Sequence, residues 1–154
     1  IGLVGSEMCI RDSTLVSPMH MALITSAIAN DGVLMKPTMI DKIVNNSGDT
    51  VRETEKTEYK RLMTRNEANI LGKLMKNVVE NGTASALNGR GYTVAGKTGS
   101  AEFDENGSSH SWFVGYSNVD DPDIAIAVIV ENGGTGSEAA VPIAADVFDA
   151  YYFD

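Results

Sequence analysis

The residues best suited to chemistry stand together in one stretch, GYTVAGKTGS, at positions 91–100. Its first eight residues match the pattern G-x-x-x-x-G-K-[ST] of a phosphate-binding P-loop. In a P-loop, backbone N–H groups surround the phosphates of a nucleotide and the lysine reaches them. That chemistry requires an apolar strand before the loop and a helix directly after it.

The surroundings of this stretch are the reverse of what a P-loop requires. A capped helix and a polar turn precede it, and loop residues and a strand follow it. The four variable residues, Tyr-Thr-Val-Ala, favour an extended strand. The sequence therefore predicts a strand with Lys97, Thr98, Gly99 and Ser100 at its end, and nucleotide binding is the less favoured alternative.

Two helices are predicted before this strand. Ser17 is a good N-cap and Pro18 suits the first helical position, so the first helix begins there and ends at the turn formers 30–32. A capping box formed by Thr64 and Glu67 begins the second helix. The apolar face of the second helix is predicted from residues at i, i+3, i+4 and i+7, which are Leu71, Leu74, Met75 and Val78.

A hairpin is predicted between the two helices. Residues 33–44 have strand character, interrupted at Lys36-Pro37, and a dense run of turn formers separates them from a short strand at 50–52. The residues that follow, 53–61, are predicted to form a charged surface stretch.

Three strands and a final helix are predicted for the rest of the chain. The strands cover 92–97, 111–116 and 124–130, a polar loop covers 99–109, and the helix covers 137–151. Because the third strand is apolar on both faces, we expect it to be central in its sheet. This order of elements predicts an α+β fold in which an antiparallel sheet is flanked by helices.

Several motifs, in order, resemble those of the penicillin-recognising serine enzymes, which include transpeptidases and β-lactamases. The stretch GKTGSAE at 96–102 resembles the third signature of the class B penicillin-binding proteins, and HSWFVG at 110–115 resembles their next strand. Further similar segments are LVSP at 15–18, AIANDG at 27–32, NGTA at 81–84 and IAIAVIVENGG at 124–134. The resemblance covers 14–154 and implies part of a β-lactamase/transpeptidase-like fold.

The resemblance implies a peptidoglycan D,D-transpeptidase, which acylates a serine with a stem peptide ending in D-Ala-D-Ala or with a β-lactam that mimics it. It implies that Lys97 supplies positive potential and that the hydroxyls of Thr98 and Ser100 bind the substrate carboxylate. It also implies that the Ser100 N–H forms half of the oxyanion hole and that Gly99 lets the substrate backbone approach along the strand. No cofactor is expected.

Two motifs of the family are missing from this sequence. No serine has lysine three residues later or asparagine two residues later, although the family uses S-x-x-K for its nucleophile and base and S-x-N for proton handling. In the family both motifs precede the helix that begins at Ser17. We therefore expect 14–154 to be the C-terminal portion of a transpeptidase domain that is inactive alone, and 1–13 to be an unmatched leader of artefactual origin.

A non-catalytic module of the same family remains an alternative to the enzyme. It would recognise wall peptides or a protein of cell-wall elongation or division. An S-x-x-K motif upstream of this chain would indicate the enzyme, and its absence would indicate the non-catalytic module. We expect His110 to have a structural role and Glu102 to be an ordinary strand or loop charge. The resemblance places the parent protein in the bacterial cell membrane, with this domain on the outer face.

Composition excludes several other classes of function. The formal net charge of −9, without any basic cluster, argues against a nucleic-acid partner. One cysteine and two distant histidines predict no metal site. The longest apolar run, at 124–130, is far shorter than the roughly 20 residues that a membrane-spanning helix needs.

Overall fold

A computed structural model describes residues 15–102 and 109–153. The expected leader and the middle of the expected polar loop lie outside these ranges. The described elements, in chain order, are α1 (Pro18–Ala29), β1 (Val33–Met35), β2 (Lys42–Val44), β3 (Thr50–Glu53), β4 (Glu58–Arg61), α2 (Arg65–Asn81), β5 (Val94–Glu102), β6 (Ser109–Ser117), β7 (Ala125–Val130) and α3 (Val141–Phe153). None of the described helices is long and apolar enough to cross a membrane.

The first helix begins and ends as predicted. The side chain of Ser17 accepts a hydrogen bond from the His20 N–H at 3.2 Å, and Pro18 occupies the first turn. After the helix, Gly32 adopts a φ of +83°, and a Cβ there would clash with the backbone oxygen of Met63. Glycine is therefore required where the chain leaves α1.

Two small antiparallel sheets connect α1 to α2. The predicted hairpin is confirmed as β2 paired with β3, and the side chain of Asn45 accepts hydrogen bonds from the N–H groups of Ser47 and Asp49, both at 2.9 Å. The stretch 53–61, predicted only as a charged surface segment, also contains a strand, because β4 lies within it and pairs with β1. All four residues of β4, EYKR, are exposed. Because no face of this strand is buried, its sequence shows no alternation of apolar and polar residues that would predict a strand.

The capping box of α2 is confirmed, and the predicted apolar face is correct for Met75 and Val78 but wrong for the two leucines. Thr64 Oγ1 accepts from the Glu67 N–H, while Glu67 Oε2 accepts from the Thr64 N–H at 2.8 Å. Leu71 and Leu74 are 37% and 59% exposed. Besides Met75, the buried positions of this helix are Ala68, Gly72 and Val79.

Close approach of α2 to the sheet explains this difference. A Cβ on Gly72 would lie 2.5 Å from the hydroxyl oxygen of Tyr116, so any side chain there would displace Tyr116 or the helix. Small residues let the helix backbone come near the strands, and the larger leucines are left on the outer side.

The main sheet is antiparallel and has the order β5-β6-β7. One face packs against α3 through a core that includes the fully buried Phe113 and Phe148. The other face packs against α1 and α2 around Met75, Ala95 and Tyr116. The α+β prediction is therefore confirmed: an antiparallel sheet lies between helices.

Two details of the predicted sheet are wrong. β5 continues to Glu102 through part of the expected polar loop, and β6, not β7, is central among the described strands. β7 is apolar on both faces because α1 packs on one face and the α3 core on the other, not because strands flank both of its edges. The predicted last helix is confirmed as a π-helical turn at Gly136–Ala140 followed by α3.

Tyr92, just before β5, forms a hydrogen bond with α3. Its hydroxyl donates to Asp149 Oδ1 at 2.6 Å, and Arg90 forms an ion pair with the other oxygen of that carboxylate. Burial, followed by the hydrogen bond to Asp149, raises the pKa of Tyr92 to about 12. Hydrogen bonds from Tyr92 and Arg90 lower the pKa of Asp149.

We expect Thr64→Ala to lower the free energy of unfolding by about 1 kcal/mol, because the change removes the side-chain acceptor at the N-cap. Thr64→Ser keeps the hydroxyl and is the matched control. Urea unfolding of the three proteins measures the effect. An unchanged free energy in Thr64→Ala would contradict a stabilising role for the capping box.

The raised pKa of Tyr92 leads us to expect that the protein loses stability at alkaline pH. Because the folded protein holds the pKa of Tyr92 near 12, above the usual value of about 10, this contribution is complete below about pH 10 and decreases between about pH 10 and pH 12. We expect Tyr92→Phe to lose less stability than the wild type between pH 9 and pH 11.5 in urea unfolding. Equal losses would show that Tyr92 ionises at its ordinary pKa.

Candidate functional site

The candidate site is the outer edge of β5. Residues 97–100 lie inside this strand, which continues to Glu102, and not at its end. The P-loop alternative is wrong, because one strand runs through the stretch and no helix follows it directly. Among the described residues, β5 pairs only with β6, so its other edge is open to a partner backbone.

The register of β5 against β6 places the site side chains on two faces. Lys97 and Gly99 lie opposite Val114 and Trp112, while Thr98 and Ser100 lie opposite Phe113 and Ser111. Side chains alternate between faces along a strand, and directly opposed residues share a face. The cation therefore lies on the α1/α2 face and the two hydroxyls on the α3 face, on either side of one edge. A ligand along this edge meets both.

Lys97 is exposed and keeps its charge available. Its Nζ donates to the carbonyl oxygen of Thr98 at 2.6 Å. No carboxylate in the described ranges forms an ion pair with it. Its positive charge is thus free to act on an anionic ligand.

Thr98 contacts a residue to which the sequence analysis gave no role. Its Oγ1 lies 2.6 Å from Oγ1 of Thr83, which follows the end of α2. The only indication in the sequence was the NGTA segment at 81–84, which resembles a family motif but does not say what its threonine touches.

Ser100 is held by the turn that leads into α3. Its Oγ accepts a hydrogen bond from the Gly136 N–H at 3.3 Å. A Cβ on Gly136 would lie 2.9 Å from both the Gly99 carbonyl oxygen and Thr98 Cβ, so glycine is needed for this close approach. Because Ser100 accepts in this bond, its own hydroxyl proton stays available to a ligand.

Gly99 is restricted by its neighbour on β6. A Cβ at this position would lie 3.3 Å from Trp112 Cβ, which is tighter than ordinary van der Waals contact. Packing against Trp112 is thus a reason for glycine at this position besides the predicted approach of a substrate backbone.

His110 and Glu102 lie near the site without joining it. His110 Nδ1 accepts a hydrogen bond from the Asn132 N–H at 3.2 Å, which agrees with a structural role. Glu102 is exposed at the last position of β5, as expected of an ordinary strand charge. No group of three His, Cys, Asp or Glu side chains within the described parts of the chain could hold a metal ion.

The face that carries Lys97 is only partly covered. Trp112 and Val114 on β6, and Ala127 and Ile129 on β7, are all half-exposed. The helices α1 and α2 cover the other end of this face, near Ala95 and Tyr116.

Comparison with known proteins identifies the family. The sequence model described as "Penicillin binding protein transpeptidase domain" matches residues 6–149. This match includes part of the expected leader, whose origin stays a prediction. Peptidoglycan D,D-transpeptidase PbpA of Mycolicibacterium smegmatis is 32% identical over 144 residues, which cover 86% of this chain and 28% of that protein.

Solved structures agree with this assignment. The D,D-transpeptidase domain of a peptidoglycan glycosyltransferase from Eggerthella lenta superposes with a TM-score of 0.77 at 35% identity, over 88% of this chain and 32% of that one. An imipenem acyl-enzyme complex of penicillin-binding protein A from M. tuberculosis superposes with a TM-score of 0.78 at 27% identity, over 90% of this chain and 31% of that one. With its family model matched over most of its length, the chain belongs to the penicillin-binding protein transpeptidase domain family.

Proposed function

We propose that the full-length protein containing this chain is a serine D,D-transpeptidase that cross-links peptidoglycan and binds β-lactams. The observation that carries this proposal is an open strand edge with a free cation on one face and two hydroxyls on the other, formed by Lys97, Thr98 and Ser100. The acyl-enzyme complex of the M. tuberculosis relative supports β-lactam binding by analogy.

Each residue of this edge has a role in the proposed reaction. The ammonium group of Lys97 attracts the carboxylate of a D-Ala-D-Ala stem peptide, and the hydroxyls of Thr98 and Ser100 donate to it. The backbone N–H of Ser100 donates to the oxyanion that forms when the acyl carbonyl is attacked. The peptide backbone adds along the open edge of β5 as an extra strand, close to Gly99.

The nucleophile is proposed to come from residues outside this sequence. No serine of the chain begins an S-x-x-K motif. The half-exposed surface around Trp112 and Val114, next to Lys97, is where we propose that the upstream part of the domain packs. A serine presented there would lie beside the cation and the proposed oxyanion donor.

The same proposal covers the cellular setting. Peptidoglycan lies outside the bacterial cell membrane, so we propose that the full-length protein is anchored in that membrane with this domain on its outer face. Proteins of cell-wall elongation or division are its proposed protein partners.

The absence of an S-x-x-K motif from this sequence favours a second candidate function. A non-catalytic module could use the β5 edge to recognise wall peptides without acylation. DNA sequence upstream of codon 14 distinguishes the two candidates: an in-frame S-x-x-K followed by S-x-N supports the enzyme, and unrelated sequence supports the module.

We expect this chain alone to form no covalent adduct with a fluorescent penicillin, because it lacks the nucleophile motif. Gel fluorescence after denaturation measures the adduct, and the full-length protein under the same conditions is the positive control. A covalent band on the isolated chain would mean that one of its own serines acts as nucleophile, and the proposed division of the site would be wrong.

Lys97→Ala in the full-length protein is expected to lower the second-order rate of acylation by penicillin about 10- to 100-fold, which corresponds to the loss of one charge-assisted hydrogen bond. Lys60→Ala, which removes an exposed lysine from β4 in a different sheet, is the matched control and should leave the rate unchanged. Equal rates in wild type and Lys97→Ala would remove Lys97 from the proposed site.

A further inference from the structure

We propose that Thr83 is a positioning residue for Thr98, donating its hydroxyl proton to Thr98 Oγ1 so that the proton of Thr98 is directed to the carboxylate of the ligand. This inference rests on the proposed function and adds to it a residue outside the β5 strand. The observation behind it is the 2.6 Å separation of the two hydroxyl oxygens.

The backbone around Thr83 is fixed on both sides. At the end of α2, the N–H groups of Gly82 and Ala84 both donate to the carbonyl oxygen of Val78, at 3.1 and 3.2 Å. A Cβ on Gly82 would lie 2.9 Å from that same oxygen, and Ala84 is completely buried. Thr83 is therefore an exposed side chain on a rigid turn that is aimed at β5.

The number of protons in the Thr83–Thr98 pair determines which hydroxyl donates once a ligand is bound. Each hydroxyl has one proton and can accept two hydrogen bonds. In the free protein either threonine can be the donor. A carboxylate has no proton to give, so when it binds Thr98 it must accept the proton of Thr98, and the short contact with Thr83 then survives only if Thr83 donates.

This arrangement makes the two hydrogen bonds support each other. A hydroxyl that accepts a hydrogen bond becomes a better donor, since bonds in a chain polarise one another. Thr98 is half-buried, and in the described ranges its hydroxyl has no other side-chain partner than Thr83. Thr83 thus holds the rotamer of Thr98 and selects its donor direction.

A merely structural bond between α2 and β5 is the alternative, and the charge of the ligand distinguishes the two. The test uses the full-length protein and the second-order rate of acylation by penicillin G and by its methyl ester. The ester keeps the reactive ring but carries no anionic carboxylate. A positioning role acts on the acid only, whereas a structural role acts on both compounds.

We expect Thr83→Val, which keeps the shape and removes the hydroxyl, to lower the rate with penicillin G about tenfold, as for one hydrogen bond to a charged group. The rate with the methyl ester should change little. Thr83→Ser keeps the hydroxyl and should restore the rate with penicillin G. In a Thr98→Val background, Thr83→Val should have no further effect.

Two outcomes overturn the inference while the proposed function stands. One is an unchanged rate with penicillin G in Thr83→Val, and the other is an equal decrease with the acid and the ester. If the wild-type protein is not acylated by penicillin G at all, the proposed function fails and this inference fails with it.

Discussion

The contact between Phe113 and two glycines determines where every site residue lies. Phe113 is completely buried on the α3 face, and its ring lies over Gly96 of β5 and Gly115 of β6. A Cβ on Gly96 would lie 2.3 Å from the nearest atom of the ring, and one on Gly115 would lie 2.8 Å from it. Because side chains alternate along strands, a shift of one residue between β5 and β6 would move Gly96 away from this ring and put every site residue of β5 on the wrong face.

Three different elements restrain three consecutive residues of the site. Thr98 contacts Thr83 after α2, Gly99 packs against Trp112 of β6, and Ser100 accepts from the turn before α3. The backbone between these contacts is held by the β5–β6 pairing itself. The site is therefore a property of the whole packed unit and not of the KTGS segment, whose four residues in another register would have none of these neighbours.

Signals that depend on a few neighbouring residues allowed correct predictions. The N-cap at Ser17, the capping box at Thr64 and the turn after Val44 each follow from local hydrogen bonds. The predictions that failed depended on distant partners. The spacing of the leucines predicts that they lie on the buried face of α2, but the closeness of Tyr116 to Gly72 leaves no room for them there. The polar residues after Thr98 predict the end of β5, but pairing with β6 extends the strand whatever its polarity.

The candidate site also contains residues that local sequence could indicate and one that depends on a distant partner. The KTGS segment was selected as the candidate site because it resembles a family signature and stands in order with the other similar segments at 15–18, 81–84, 110–115 and 124–134. Thr83 could not be assigned a role, since 15 residues separate it from Thr98 and only the close packing of α2 on the sheet brings the two oxygens together.

The two halves of the site differ in how far the chain has arranged them before a ligand arrives. The hydroxyls of Thr98 and Ser100 are already restrained by Thr83 and Gly136, so little conformational entropy would remain to be lost in the proposed binding of a carboxylate. Lys97 is exposed on the half-open face, where water weakens its field. Covering that face would lower the local dielectric constant and so strengthen the attraction of Lys97 for an anion. Under the proposed function, this chain thus builds the hydrogen-bonding half of the site, whereas the strength of the electrostatic half depends on what packs beside Trp112.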